Sequence, residues 1–112
     1  MVIATETQEL PHQTTVIKDR VDEATAFLKK LANRDRLLVV CALVEGERSV
    51  RGLEDLLNIR QPGLSQQLAE LRSAGMIEAR KEGKAVFYRL SDPKVKAIVS
   101  TMYDLFCGPG AQ

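Results

Sequence analysis

Residues 50–90 read VRGLEDLLNIRQPGLSQQLAELRSAGMIEARKEGKAVFYRL, and the changing period of their apolar positions decides the fold. Ser49 stands just ahead of Val50, Leu53, Leu56 and Leu57, placed to cap a short helix that ends near Asn58. After the break Asn58-Ile59-Arg60, Pro62 fits the first turn of the next helix, where its missing N–H would be unpaired in any case. Leu64, Leu68 and Leu71 give that helix a buried stripe running up to Gly75. From there the apolar period drops from about 3.6 to 2. Ile77 and Ala79 precede Glu82-Gly83-Lys84, and Val86, Tyr88 and Leu90 follow it, which predicts a hairpin. Two short helices in tandem and a hairpin make a helix-turn-helix with a wing.

Working outward, Ile17, Val21, Ala24, Leu28 and Leu31 recur at helical spacing and predict one amphipathic helix from Val16 to about Asn33. A second helix is expected from Arg34 to Val44, with Leu37, Val40, Cys41 and Val44 on its apolar face and Gly46 as its stop. Asp92-Pro93 reads as cap and first position of a last helix carrying Val95, Ile98, Val99, Met102, Leu105 and Phe106, closed by Gly108-Pro109-Gly110. The expected architecture is mainly α with a small β-hairpin, a winged helix-turn-helix of five helices and a two-stranded wing. Residues 1–15 read as a mobile N-terminal arm, 16–107 as the folded domain and 108–112 as a C-terminal tail.

At 112 residues the chain holds one core, and 45% hydrophobic residues with 4% aromatics and no Trp favour a helical one. No apolar run reaches the roughly 18–20 residues that span a bilayer, and residues 1–15 lack a signal-peptide pattern, so no membrane partner and a cytoplasmic location are expected. Lys and Arg total 16 against 15 Asp and Glu, a net +1 that excludes a histone-like cation and an acidic tail. The balance is uneven along the chain. Residues 60–96 hold eight basic and four acidic residues, a local +4, which leaves −3 elsewhere. This stretch would face a phosphate backbone if the helix after Pro62 entered a major groove. Arg60, Gln61, Gly63, Ser65, Gln66 and Gln67 form the exposed start of that helix, and their short polar and amide groups suit base edges better than mere solvation. Gln61, Ser65 and Gln66 are the candidates for base contact, and Arg72, Lys81 and Lys84 for phosphate positioning.

Catalysis and metal binding find little support. His12 is the single histidine, and Cys41 and Cys107 are the two cysteines, with no CxxC, Gly-rich phosphate loop or GxSxG motif. No enzyme activity, metal or cofactor is therefore expected. On its own, Cys41 reads as a small hydrophobe on an apolar helix face. Cys107, at a frayed helix end beside Phe106 and Gly108, reads as a thiol open to small oxidants.

From about Val16 through Phe106 the chain resembles the ArsR-type winged-helix repressors. The resemblance is carried by LKKLANRDRLLVVCALVEGERSV (28–50), IRQPGLSQQLAELRSAGMIEARKEGKAVFYRL (59–90) and the closing helix from Asp92. It implies a homodimeric transcriptional repressor that binds double-stranded operator DNA and dimerises through its first and last helices. Metal-sensing members carry a Cys-x-Cys type motif at the start of the third helix or His/Asp ligands in the last; here those places read Ser49-Val50-Arg51 and DPKVKAIVSTMYDLFC. The two cysteines instead resemble those of the persulfide- and sulfide-responsive subgroup. The resemblance implies that Cys41 and Cys107 react with small reactive sulfur species, become bridged as a disulfide or polysulfide, and release the operator. A peroxide-responsive, redox-responsive or haem-responsive repressor of the same fold is the alternative. A non-DNA helical interaction module or a small thiol enzyme is the more distant one.

Overall fold

A computed structural model describes residues 12–109 of the chain. The elements run α1 (His12–Lys18), α2 (Val21–Leu31), α3 (Arg34–Val44), β1 (Arg48–Ser49), α4 (Val50–Leu57), α5 (Gly63–Ser73), β2 (Ile77–Glu82), β3 (Ala85–Leu90) and α6 (Pro93–Cys107). The winged helix-turn-helix is present as α4, α5 and the β2–β3 hairpin. Most of the expected arm, residues 1–11, and the last three residues of the tail lie outside the described residues.

Local chemistry sets the boundaries. The Asn33 side chain accepts from the Arg36 N–H at 3.0 Å, Ser49 from Gly52 at 2.9 Å and Asp92 from Lys94 at 2.9 Å, capping α3, α4 and α6. Asn58 ends α4 in the left-handed region at φ 56°, which lets the chain turn sharply into α5. At the far end of α5, Gly75 takes φ 75°, its N–H donates to the Arg72 carbonyl at 2.9 Å and the Met76 N–H to the Leu71 carbonyl at 3.0 Å. That paired arrangement satisfies the last carbonyls of α5 while burying Met76 beside Leu71, so the helix stop also starts the wing.

The core is apolar throughout among the described residues. Val39, Val40 and Leu43 of α3 meet Leu53 of α4, Leu64, Leu68 and Leu71 of α5, Ile77 of β2, and Val95 and Val99 of α6. Helix α3 is therefore the central rod on which both α5 and α6 are mounted.

Three expectations need correction. The first helix is broken at Asp19–Arg20, giving α1 and α2 and six described helices; α1 begins at His12, inside the segment read as an arm. Lys18 in the last turn of α1, Asp22 and Glu23 in the first turn of α2, and an Arg20–Glu23 ion pair at 2.7 Å all favour ends at this junction. The wing gains a third strand: β1 pairs antiparallel with β3, Arg48 opposite Tyr88 and Ser49 opposite Phe87, giving the order β1-β3-β2. Finally, Cys41 is exposed. Its helix is apolar around nearly its whole circumference, so burial falls on Val39, Val40, Ala42 and Leu43, and Cys41 faces outward beside α6.

Candidate nucleic-acid interface and thiol pair

Helix α5 turns Leu64, Leu68 and Leu71 inward, which leaves Ser65, Gln66, Ala69 and Arg72 on the surface. Gln61 and Ser65, both expected to read bases, are also partners of each other. The Gln61 side-chain oxygen accepts from the Ser65 N–H at 3.1 Å and from the Ser65 hydroxyl, capping α5 in place of its Pro62 N-cap, which has no such bond to offer. Gln66 has an exposed side chain, while its backbone N–H donates to the Pro62 carbonyl at 3.1 Å. Gly63 is half-buried, and so is Gln67, whose oxygen accepts from Arg36 Nη1 at 3.0 Å and so ties α5 to α3. Its exposure was overestimated from sequence because it borders the Leu64–Leu68 stripe and meets a residue 31 positions earlier.

The ion pairs sort the basic residues. Arg80 is held by Glu47 at 2.7 Å and by Glu82 at 3.1 Å, Arg89 by Glu78, and Lys94 by Asp92 at 3.2 Å. Arg60, Arg72, Lys81 and Lys84 are exposed, with no carboxylate within ion-pair distance among the described residues, so their charge is directed at solvent. Arg60 sits in the turn between α4 and α5, Arg72 in the last turn of α5, and Lys81 and Lys84 in the outer half of the wing. Arg72, Ser65 and Ser73 of α5 and Tyr88 of β3 line one groove of about 510 Å³ between the reading helix and the wing. Arg51 is also exposed, in the first turn of α4.

On the opposite side, Cys41, Val44 and Glu45 of the α3 end face Val99, Ser100, Tyr103 and Asp104 of α6 across a shallow cleft. Cys107 lies one helical turn beyond Tyr103 on the same face of α6. Both cysteines are unbridged thiols and exposed. Although Cys41 is exposed, partial desolvation by the protein around it pushes its thiol above the ordinary thiol value, and the charge of the Cys107 thiolate pushes it further in the same direction. Two thiols 66 positions apart in sequence are thus within electrostatic reach. His12 is exposed in α1, and no group of three His, Cys, Asp or Glu side chains able to hold a metal ion occurs among the described residues.

The terminal helices carry the apolar surface. Val16, Ile17, Val21 and Leu28 of α1 and α2, and Tyr103, Leu105 and Phe106 of α6, are exposed, Phe106 by 71%. Phe27, Leu28, Met76 and Ile98 also line a groove of about 700 Å³ between α2 and α6. No helix among the described residues is long and apolar enough to cross a membrane.

The family described as bacterial regulatory protein, arsR family, matches residues 33–79, the span from the α3 cap into the wing. The biofilm growth-associated repressor of Agrobacterium fabrum is 45% identical over 83% of this chain and 80% of its own length. The transcriptional activator HlyU of Vibrio cholerae is 42% identical over 76% of this chain and 79% of its own. Among solved structures, the transcriptional repressor BigR from Xylella fastidiosa superposes with a TM-score of 0.81 at 44% identity, over 83% of this chain and 95% of that one. With a winged helix-turn-helix in place and this degree of identity over most of both chains, the chain belongs to the arsR family and is a winged-helix, DNA-binding transcriptional regulator.

Proposed function

We propose that the protein is a homodimeric repressor whose operator binding is relieved when reactive sulfur species bridge Cys41 and Cys107. The observation that carries this reading is the thiol pair: one cysteine on the central helix α3, the other at the end of α6, each exposed and the ionisation of one opposed by the charge of the other. The similarity to repressors named for biofilm growth supports the sign of regulation.

With both thiols reduced, the dimer sets its two α5 helices in successive major grooves, about 34 Å apart on a near-palindromic operator. Gln61, Ser65 and Gln66 meet base edges, with Gly63 and Gln67 shaping and anchoring the start of the helix; Arg60, Arg72, Lys81 and Lys84 meet phosphates. One thiolate takes the sulfane sulfur of a low-molecular-weight persulfide, releasing that donor as a thiol. The second thiolate then attacks the sulfur of the modified cysteine and expels hydrosulfide. Two cysteine sulfurs are oxidised, the transferred sulfur is reduced, and a disulfide joins α3 to α6. If both cysteines carry an extra sulfur, attack of one terminal sulfur on the other cysteine's sulfur expels one hydrosulfide and leaves a trisulfide. A disulfide needs Cα atoms within roughly 7 Å, and each added sulfur relaxes that limit.

Because α3 also carries the core contacts of α5, a bridge that pulls α3 toward the end of α6 biases the reading helices. A coupling of about 1–3 kcal/mol lowers operator affinity about 5–150-fold. Mass spectrometry of the peptide pair containing Cys41 and Cys107 tests this chemistry. Treatment with a persulfide donor is expected to give one cross-linked species of disulfide or polysulfide mass together with loss of DNA binding. A bridge formed only by peroxide would favour an oxidant-responsive repressor, and DNA release with neither cysteine modified would reject the thiol switch.

A further inference from the structure

We infer that Arg80 is a positioning residue that fixes the wing to the body of the domain, and that its charge is not used on a DNA phosphate. Alternation along β2 puts Arg80 on the outer face of the wing with Glu78 and Glu82, whereas Lys81 shares the other face with Ile77 and Ala79. The Arg80 guanidinium, though half exposed, is engaged through all three of its nitrogens. Its Nη2 donates to Glu47 Oε1 at 2.7 Å and its Nε to Glu47 Oε2 at 2.8 Å, a two-pronged contact, while Nη1 donates to Glu82 Oε1 at 3.1 Å. Its flat face stacks over the Phe87 ring, 4.7 Å from the centroid.

Glu47 is not part of the wing. It lies in the link between α3 and β1, so the contact joins two segments 33 positions apart. Among the described residues, the strand pairing that fastens the hairpin to that link is the two-residue β1, at Tyr88 and Phe87. Beyond Phe87 the wing runs on to Lys81, Gly83 and Lys84, with no further strand beside it among the described residues. A rigid clamp at Arg80, opposite Phe87 in the register, therefore determines where Lys81 and Lys84 sit relative to α5. The Arg80 side chain also holds the Glu47 carboxyl below the usual carboxylate range, so the pair stays charged at neutral pH.

The two roles predict opposite signs for one substitution. If Arg80 positions the wing, Glu47→Ala loosens it and weakens operator binding; if Arg80 neutralises a phosphate, Glu47→Ala frees the guanidinium and tightens binding. Operator titrations of the full chain with Glu47→Ala and Arg80→Gln read this directly. We expect about two- to fivefold weaker binding for each single variant. Thermal unfolding of each variant alone separates loss of fold from loss of wing position, with Arg80→Lys as the milder substitution. Tighter binding by Glu47→Ala, or unchanged affinity in both single variants, would overturn the assignment.

Discussion

Cys41 has two causes for its raised thiol value, and they can be separated at the bench. Partial desolvation by the surrounding protein is the larger and the Cys107 thiolate the smaller. Both favour the neutral thiol, so Cys41 becomes more reactive as pH rises toward its shifted value. In Cys107→Ser the second cause is gone while the first remains. The pH midpoint of Cys41 alkylation is therefore expected to move down from that of the parent chain yet stay above the ordinary thiol value; an upward move would contradict the arrangement. On the DNA side, Arg72→Ala is expected to weaken binding nearly uniformly across operator sequences and reduce the salt slope by about one, as measured by titration at several salt concentrations. Arg60, Arg72, Lys81 and Lys84 are exposed and unpaired among the described residues, whereas Arg80 and Arg89 hold carboxylates, a division that composition along the basic stretch does not carry. The mutual bond of Gln61 and Ser65 and the Arg36–Gln67 tie were not legible, because each depends on side-chain geometry that spacing alone does not carry.

At the scale of elements, α5, the helix proposed to read DNA, is held in a fixed place because its other face is locked into the core. Leu71 is wholly buried, and its carbonyl also closes the turn that begins the wing. Leu71→Ala is expected to cost about 2–5 kcal/mol of stability, seen as a lower denaturant midpoint with an unchanged slope. The helices with strong punctuation were legible in sequence: Asn33, Ser49 and Asp92 cap where their chemistry suggests, and Asn58 and Gly75 end helices in the left-handed region. Elements without punctuation were not. The α1–α2 break contains neither Gly nor Pro, and the apolar spacing continues across it at Ile17 and Val21. A strand of two residues, as β1 is, is too short for a period of two to show. Helix α3, apolar nearly all round, offered no single stripe, which is why Cys41 was placed on the wrong side.

For the whole molecule, the net charge of +1 conceals a division of labour. Arg60, Arg72, Lys81 and Lys84 stand unpaired on the helix-turn-helix and wing, while most of the exposed large apolar side chains lie on the terminal helices. Leu28, Leu105 and Phe106 are more than half exposed in the single chain, a surface that a second copy would cover. Leu28→Glu and Phe106→Glu are each expected to shift sedimentation equilibrium toward monomer and to lower operator affinity in step, because one half-site alone contributes fewer phosphate and base contacts. Full operator affinity from a monomer would remove dimerisation from the account. The central claim is the coupling of two cysteines to DNA release, and an operator mobility-shift titration before and after persulfide treatment tests it most directly. The parent chain is expected to lose affinity on treatment, while Cys41→Ser and Cys107→Ser bind as the reduced parent does and stay bound. Release of DNA by either single variant after the same treatment would contradict it.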